Sequence, residues 1–339
     1  MGCTVNDIAR AAGVSRSTVL RALSGKVDIS IETRKRIEAL AAEMRYRPNY
    51  IARSLTQGKT NLVGVLVKPS ICYASHSVIE AVERGLREGG YSTLLFISGK
   101  ENGTDKSAVE QLLKSRVDGV IAVPGSMAPP ATYQELVEAG IKLVTLDGLI
   151  DDLAAPQIVG DNYKAGRLGA EHLIGLGHRK IAYLGISHIS NVGRERARGV
   201  RDAFWEAGIP VDERLFREIE FNDASAERCT AELLASGERP TALLVWHDVA
   251  ARGAMRAIFG AGLSVPEDIS VVGNGDVLGS DMFRVPLTTV HFPAREMADF
   301  CVQTLLDMLS GKAARPETTV FNVELVVRSS TAPPRVIKN

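Results

Sequence analysis

Four side chains near the N-terminus carry the most distinctive chemistry of the 339-residue chain: Arg16, Ser17, Leu20 and Arg21. At about 100° per residue on a helix, they lie within roughly 140° of one another. That face offers two guanidinium groups, a hydroxyl and an exposed leucine. A guanidinium donates two parallel hydrogen bonds to paired acceptors such as O6 and N7 of guanine. This face is therefore a candidate base-reading surface, and an ordinary solvated helix face is the alternative.

Three short helices are predicted to position this face. The residues Thr4-Val5-Asn6-Asp7 have the form of a capping box, which opens a first helix that ends at Gly13. Ser15 can cap a second helix that runs to about Leu23, and the apolar spacing predicts a third helix over 31–44. A helix, a glycine turn, a second helix and a supporting helix together predict a helix-turn-helix reader of DNA.

The distribution of charge agrees with that interpretation. The chain has 40 basic and 40 acidic residues, but residues 1–60 hold 11 Lys and Arg against 5 Asp and Glu, a net charge of +6. The remaining residues therefore carry a net charge of −6. A small basic head on a larger acidic body indicates a module that binds a polyanion, attached to a second domain.

Residues 47–60 are predicted to form a short linking helix. Pro48 suits the first turn of a helix, and Gly58 suits the position after its end. The segment between them has only about eight residues, too few for a stable isolated helix in water. We therefore expect this segment to become helical only when it docks against a partner.

The rest of the chain alternates short apolar runs with amphipathic segments, the pattern of βαβ units in parallel sheets. The units fall into two groups, before and after about residue 160, which predicts two similar lobes. A small ligand would bind between the lobes, at the carboxyl ends of the strands. The predicted strands are 62–67, 91–97, 117–123, 141–146, 180–185, 241–246 and 269–273. The predicted helices include 78–88, 106–115, 163–176, 195–207 and 249–261.

Composition narrows the class of protein. Hydrophobic residues make up 45% of the chain and charged residues 24%, which excludes a disordered or fibrous protein. No apolar run approaches the roughly 18 residues that span a bilayer, and no secretory signal is visible. The four cysteines lie far apart and lack metal-ligand spacing, which predicts free thiols in a reducing cytoplasm and no metal site.

No catalytic motif is present in the sequence. The signatures GxSxG, GxxxxGK[ST], HExxH and a GxGxxG after a strand are all absent. His172 and His178 are six residues apart, a spacing that does not place them on one helical face. We predict that the chain is not an enzyme and uses no cofactor. A sugar-binding enzyme and a free-standing periplasmic binding protein are the less favoured alternatives.

Longer motifs resemble one protein family. The segment "TVNDIARAAGVSRSTVLRALSG" and the later "RYRPNYIARSLTQGKTNLVGVLV" resemble the LacI/GalR family of bacterial transcription regulators. The match continues in the family's order through "EHLIGLGHRKIAYLG", "RERARGVRDAF" and "VPLTTV". The resemblance implies an N-terminal all-α helix-turn-helix head and an α/β, two-lobed periplasmic-binding-protein-like body of parallel sheets flanked by helices. It also implies a homodimeric repressor of a carbohydrate-related operon, bound to a near-palindromic double-stranded DNA operator.

The resemblance further implies a domain plan and a set of DNA contacts. Residues 1–46 would form the DNA-binding head, 47–60 the hinge, 61–331 the effector-binding and dimerisation body, and 332–339 a short tail. The second helix would enter the major groove, and Leu55 would insert into the minor groove and bend the duplex. The implied DNA-binding residues are Thr4, Asn6, Ser15, Arg16, Ser17, Thr18, Leu20, Arg21, Asn49, Ala52, Arg53 and Leu55.

The implied effector site departs from the family pattern. The usual "GFDD" is Gly273-Asn274-Gly275-Asp276 here, and the asparagine of the usual "ND" pair is His247. A lost carboxylate, an added histidine and a retained Arg196 favour a small polyhydroxylated anion, because a guanidinium pairs bidentately with a carboxylate or phosphate. A neutral sugar or nucleoside is the alternative, with Arg196 bracing the lobes. The implied effector-binding residues are Ala74, Ser75, Arg194, Arg196, Asn222, His247, Gly275 and Asp276.

Overall fold

The computed structural model describes residues 3–23, 29–46, 59–67, 76–97, 104–123, 130–186, 190–220, 222–237 and 239–335. The chain divides into two compact units, Met1–Thr60 and Asn61–Asn339, which we call the head and the body. None of the helices in the described ranges is long and apolar enough to cross a membrane.

In its described residues, the head contains three short helices packed around a small apolar core. They are α1 (Val5–Ala12), α2 (Arg16–Leu23) and α3 (Ile31–Glu43). A capping box at Thr4 opens α1, and Gly13 ends it with a φ of 63°, a left-handed conformation that favours glycine. Ile8, Val19 and Ile37, one from each helix, are fully buried where the helices meet. The predicted helix-turn-helix arrangement is therefore present.

Two sheets form the centres of two lobes in the described part of the body. The strands are β1 (Leu62–Val67), β2 (Ser92–Ile97), β3 (Gly119–Ala122), β4 (Lys142–Leu146), β5 (Gln157–Gly160), β6 (Ile181–Gly185), β7 (Phe216–Glu218), β8 (Ala242–Val245), β9 (Ser270–Gly275), β10 (Thr288–His291), β11 (Thr318–Phe321) and β12 (Glu324–Val326). The first-lobe order is β11-β5-β4-β3-β1-β2, with parallel neighbours throughout. The second-lobe order is β12-β10-β9-β8-β6-β7, in which β12 runs antiparallel to β10.

Helices cover both faces of each sheet, so the central strands are buried on both sides. The body helices are α4 (His76–Glu88), α5 (Thr104–Lys114), α6 (Pro130–Glu138), α7 (Asn162–Gly175), α8 (Asn191–Glu206), α9 (Asp223–Ala235), α10 (Asp248–Gly260) and α11 (Ala294–Leu309). In the first lobe, α4 and α11 pack on one face and α5 and α6 on the other. In the second lobe, α7 and α8 pack on one face and α9 and α10 on the other.

The lobes are not consecutive halves of the body, so the predicted division at about residue 160 is only partly right. The chain crosses between the lobes after β5, after β10 and after β11. Helix α11 returns to the first-lobe core, where Met297 and Leu305 are buried beside α4. Strand β11 pairs with β5 in the first lobe, and β12 pairs with β10 in the second. Hydrophobic periodicity identifies an element but does not record which sheet the element joins.

Candidate nucleic-acid and effector sites

Helix α2 presents the predicted base-reading face to solvent. Arg16, Ser17 and Arg21 are exposed, and Leu20 is 45% exposed although it is a large apolar residue. The opposite face is buried in the head's core. A helix whose outer face combines guanidinium groups with an exposed leucine can contact both base-edge acceptors and a thymine methyl group.

Several of the predicted DNA-binding residues have local partners within the head. The carboxylate of Asp7 accepts hydrogen bonds from the Thr4 hydroxyl at 2.7 Å and from the Thr4 N–H at 3.0 Å. The Ser15 hydroxyl oxygen accepts the Thr18 N–H at 3.1 Å and so caps α2. These side chains therefore shape the helix ends, while Asn6 on α1 is exposed. A cap that leaves the helix N-terminus in solvent is compatible with an approaching phosphate.

Six predicted contact residues lie outside the described residues. Four belong to the hinge assignment and two to the first-lobe assignment: Asn49, Ala52, Arg53, Leu55, Ala74 and Ser75. Their proposed roles stay predictions.

Two glycines bring α7 and α8 into close contact and thereby fix Arg196. A Cβ on Gly166 would lie 2.1 Å from the backbone oxygen of Arg196, and one on Gly199 would lie 2.1 Å from the backbone oxygen of Tyr163. Only glycine permits two backbones to approach so closely. The contact between these helices therefore sets the base from which the Arg196 side chain extends.

Arg196 is a buried cation held by neutral groups. Arg196 is only 6% exposed. Its Nε donates to Oδ1 of Asn162 at 2.8 Å, and its Nη1 donates to the backbone oxygen of Trp246 at 2.6 Å. Its guanidinium carbon lies 5.7 Å from the Trp246 ring centroid and 5.0 Å from that of Phe292. Burial lowers the pKa of Arg196, although Asp147 and other groups at longer range oppose that change. Among the described residues Arg196 forms no ion pair with a carboxylate.

His247 is a buried imidazole at the N-terminus of α10. Its Nδ1 accepts the N–H of Val249 at 3.2 Å and caps α10, which leaves the proton of the neutral ring on Nε2. Removal from water, together with nearby Arg196, lowers the pKa of His247 to about 3. The imidazole is therefore uncharged at neutral pH, and the added histidine brings no positive charge to the site. It offers a neutral N–H donor instead.

Asp248, next to His247, is a buried carboxylate whose partners sequence reasoning did not identify. It is fully buried; Oδ1 accepts the Thr289 hydroxyl at 2.6 Å, and Oδ2 accepts the Val277 N–H at 2.9 Å. A Cβ on Gly273 would lie 2.3 Å from Oδ1, so this glycine makes room for the carboxylate. Burial raises the pKa of Asp248 to about 6. The carboxylate ties α10 to β9 and β10, and the pairing with Thr289, 41 residues away, has no local signal in the sequence.

The carboxylate of Asp276 is occupied by partners within the second lobe. Oδ1 accepts from Nη2 of Arg328 at 2.6 Å, and Oδ2 lies 3.0 Å from Nδ1 of His291. Burial favours a higher pKa for Asp276, but Arg328 and His291 outweigh it and lower the pKa. The neighbouring Gly275 has a φ of 125°, which favours glycine, and lies against the His247 ring. Asp276 therefore stabilises this loop in addition to its predicted contact with an effector.

The two other predicted effector residues lie near the edge of the second lobe. Oδ1 of Asn222 accepts the Ser225 N–H at 2.7 Å and caps α9. Arg194 is half exposed, and its Nη2 lies 3.6 Å from Oδ2 of Asp151, which follows β4 in the first lobe. The structure thus brings Arg196 close to His247, since Arg196 donates to the backbone oxygen of Trp246, the residue before His247. Asn222 instead acts as a helix cap, and Arg194 links the lobes.

Comparison with known proteins gives consistent matches over nearly the whole chain. Residues 4–49 match the model for bacterial regulatory proteins of the lacI family, and residues 170–331 match the periplasmic binding protein-like domain. The HTH-type transcriptional repressor PurR of Mannheimia succiniciproducens is 30% identical over 96% of this chain and 98% of its own length.

Two solved structures show the same likeness. The lac repressor dimer bound to operator and the anti-inducer ONPF superposes with a TM-score of 0.89 at 31% identity, covering 98% of this chain and 100% of that chain. The complex of the transcriptional regulator CelR with cellobiose has a TM-score of 0.74 at 28% identity, covering 97% and 99% of the respective chains. Both matches cover residues of the head as well as residues of the body.

Proposed function

The chain belongs to the LacI family of bacterial regulatory proteins, and on that premise we propose that it is a repressor controlled by a small effector bound in the body. The observation that carries the DNA-binding part is the exposed face of α2. Arg16, Ser17, Leu20 and Arg21 all face solvent, while the opposite side of the helix fills the head's core. A homodimer would place two such faces on a near-palindromic operator.

Selection of binding sites from randomised DNA tests this proposal. Arg16→Ala is expected to relax base preference at a symmetric pair of positions, at a cost on the order of 1–3 kcal/mol per half-site. Lys35→Ala, which removes an exposed positive charge from α3, is the matched control and should weaken binding without changing base preference. An unaltered preference in Arg16→Ala would refute a base-reading role for Arg16.

We further propose that the effector is a small polyhydroxylated anion, a sugar acid or sugar phosphate. The supporting observation is Arg196, a buried guanidinium with two neutral acceptors and no carboxylate partner among the described residues. A buried charge is costly unless it is paired, and a ligand carboxylate or phosphate would supply the missing partner. The neutral N–H of His247 would donate to the same ligand.

A neutral sugar is the second candidate, and the uncharged state of His247 favours it. The CelR relative was solved with cellobiose, so a body of this fold accepts a neutral sugar in that protein. The two candidates differ in how much each depends on Arg196. With a neutral sugar, the guanidinium would mainly brace the helices through Asn162 and Trp246.

Calorimetry with matched ligands separates the two candidates. We expect D-gluconate to bind more tightly than D-glucose, and Arg196→Lys to weaken gluconate binding about tenfold or more, because lysine cannot form a bidentate pair. Lysine keeps the positive charge, so the site stays electrostatically similar. Tighter binding of glucose, or unchanged gluconate affinity in Arg196→Lys, would establish the neutral candidate instead.

A further inference from the structure

Asn274 is a buried polar side chain with an unused hydrogen-bond acceptor. It lies on β9, is 3% exposed, and its Oδ1 is buried without a hydrogen-bond partner among the described residues. Buried polar atoms are nearly always hydrogen-bonded, so an exception calls for an explanation from its surroundings.

The position of Asn274 on β9 places its side chain in the part of the second lobe that contains Arg196. Val272, two residues earlier on β9, packs against α7 and α8, and side chains two residues apart on a strand share a face. Asn274 pairs with Val290 on β10, and its backbone N–H donates to the Asp248 carboxylate at the start of α10. Strand β9 also pairs with β8 as far as Val272 opposite Leu244, two residues before Trp246. Trp246 accepts a hydrogen bond from Arg196 and lies under its guanidinium.

A second unsatisfied oxygen lies on the same face of the sheet. Tyr183 on β6 is 5% exposed, and its hydroxyl is buried without a hydrogen-bond partner in the described part of the chain. The ring extends over Gly185 toward the carboxyl end of β6, because a Cβ on Gly185 would lie 3.1 Å from the hydroxyl oxygen. A guanidinium without a carboxylate partner in the described residues, an amide oxygen and a phenol therefore lie on one face of the second lobe.

We propose that Asn274 is a specificity-determining residue that accepts a hydrogen bond from an O–H or N–H group of the effector. This inference rests on the proposed effector site, and it adds a second requirement to the ligand. The effector carries a hydrogen-bond donor near the group that pairs with Arg196, as a hydroxy acid or a sugar phosphate does. A site built around a buried polar group rejects ligands that leave the group unpaired.

The first arm of the test needs no ligand. Asn274→Leu replaces the amide with an apolar group of similar size, so the ligand-free full-length protein is expected to unfold at a higher urea concentration than the wild type. Thr230→Val on α9 is the matched control, because the Thr230 hydroxyl is also buried without a partner in the described residues. A lower urea midpoint for Asn274→Leu would show that the amide is satisfied in the native protein, by an ordered water for example, and would overturn the inference.

The second arm measures binding of D-gluconate, D-glucose 6-phosphate and D-glucose by calorimetry. Asn274→Leu is expected to weaken whichever probe the wild type binds by about tenfold or more, while Thr230→Val binds it normally. Equal affinity in Asn274→Leu and the wild type would overturn the inference. Binding of glucose alone would refute the proposed anionic class yet still decide the role of Asn274. If the wild type binds none of the three, the proposed ligand class is wrong, and the inference that rests on it is overturned as well.

Discussion

Single residues in the cleft show how burial changes the chemistry that a residue type suggests. A histidine beside an arginine suggests additional positive charge from the residue types alone. In the structure, however, His247 accepts the Val249 N–H and has a pKa lowered to about 3, so its imidazole is neutral. Burial in the same way raises the pKa of Asp248 to about 6. The charge state of the cleft is therefore a property of the folded second lobe rather than of its composition.

The pKa of His247 predicts a stability change with pH. Unfolded histidine has a pKa near 6.5, so between about pH 6.5 and 3 the unfolded chain binds a proton that the folded chain does not. The contribution of His247 to the free energy of unfolding is therefore fully present above pH 6.5. It is lost as the pH falls below that value, by on the order of 1 kcal/mol per pH unit. Asparagine also caps helices but does not titrate.

We expect His247→Asn to reduce this loss when the free energy of unfolding is measured in urea from pH 7.5 to 5. The difference between variant and wild type removes the pH dependence that other groups contribute to the free energy of unfolding. One of these groups is Asp248, whose raised pKa increases stability as the pH falls. Parallel curves for the two proteins would contradict a buried, neutral His247.

At the scale of elements, the contact between α7 and α8 positions Arg196, which belongs to the proposed effector site. Gly166→Ala would place a Cβ 2.1 Å from the backbone oxygen of Arg196, and backbone atoms cannot move aside as a flexible side chain can. We expect a loss of roughly 1–3 kcal/mol in unfolding free energy, together with weaker effector binding. Circular dichroism in urea and calorimetry measure the two effects.

Gly175→Ala is the control for this prediction, because nothing lies within 4 Å of a Cβ at that position of α7. Alanine favours helix over glycine, so this variant should gain up to about 1 kcal/mol and bind effector normally. Equal stability of the two alanine variants would mean that the helices do not meet at Gly166.

For the whole molecule, the division of charge predicts a strong salt dependence of DNA binding. The net charge of the chain is zero, but residues 1–60 carry +6. Binding releases counterions from DNA, so operator affinity should fall linearly with salt on a log–log scale. Arg21→Ala should lower the slope by about one if that side chain contacts phosphate, and should leave the slope unchanged if it reads bases alone. An affinity independent of salt would contradict a head that binds DNA through its positive charge.

Dimerisation is expected to use exposed apolar residues of the second lobe. Leu278 is 100% exposed and Met282 is 84% exposed, four residues apart in the segment after β9. Exposed apolar side chains grouped in this way mark interaction surfaces. Leu278→Asp combined with Met282→Asp should shift the protein toward monomer in sedimentation velocity and weaken operator binding. Trp205→Ser, on α8 and also 84% exposed, is the control, and an unchanged dimer in the double variant would place the interface elsewhere.

The sequence by itself determined the features that depend on near neighbours. The three head helices were predictable because their caps act over two or three residues, as at Thr4 and Ser15, and because apolar spacing reports a helix or a strand directly. The exposed face of α2 followed from the same spacing. The alternation of apolar runs and amphipathic segments predicted the two lobes, and the family's motifs implied the same body.

Only the tertiary structure decided the features that join distant segments. The return of α11 and β11 to the first lobe, and the pairs Asp248–Thr289 and Asp276–Arg328, join residues 41 and 52 positions apart or more. Desolvation by the fold keeps His247 neutral. The fold also buries Arg196 without a carboxylate partner in the described residues and Asn274 with an unsatisfied oxygen. Local sequence does not predict this desolvation, because water is removed only when strands and helices from separate parts of the chain pack around these groups.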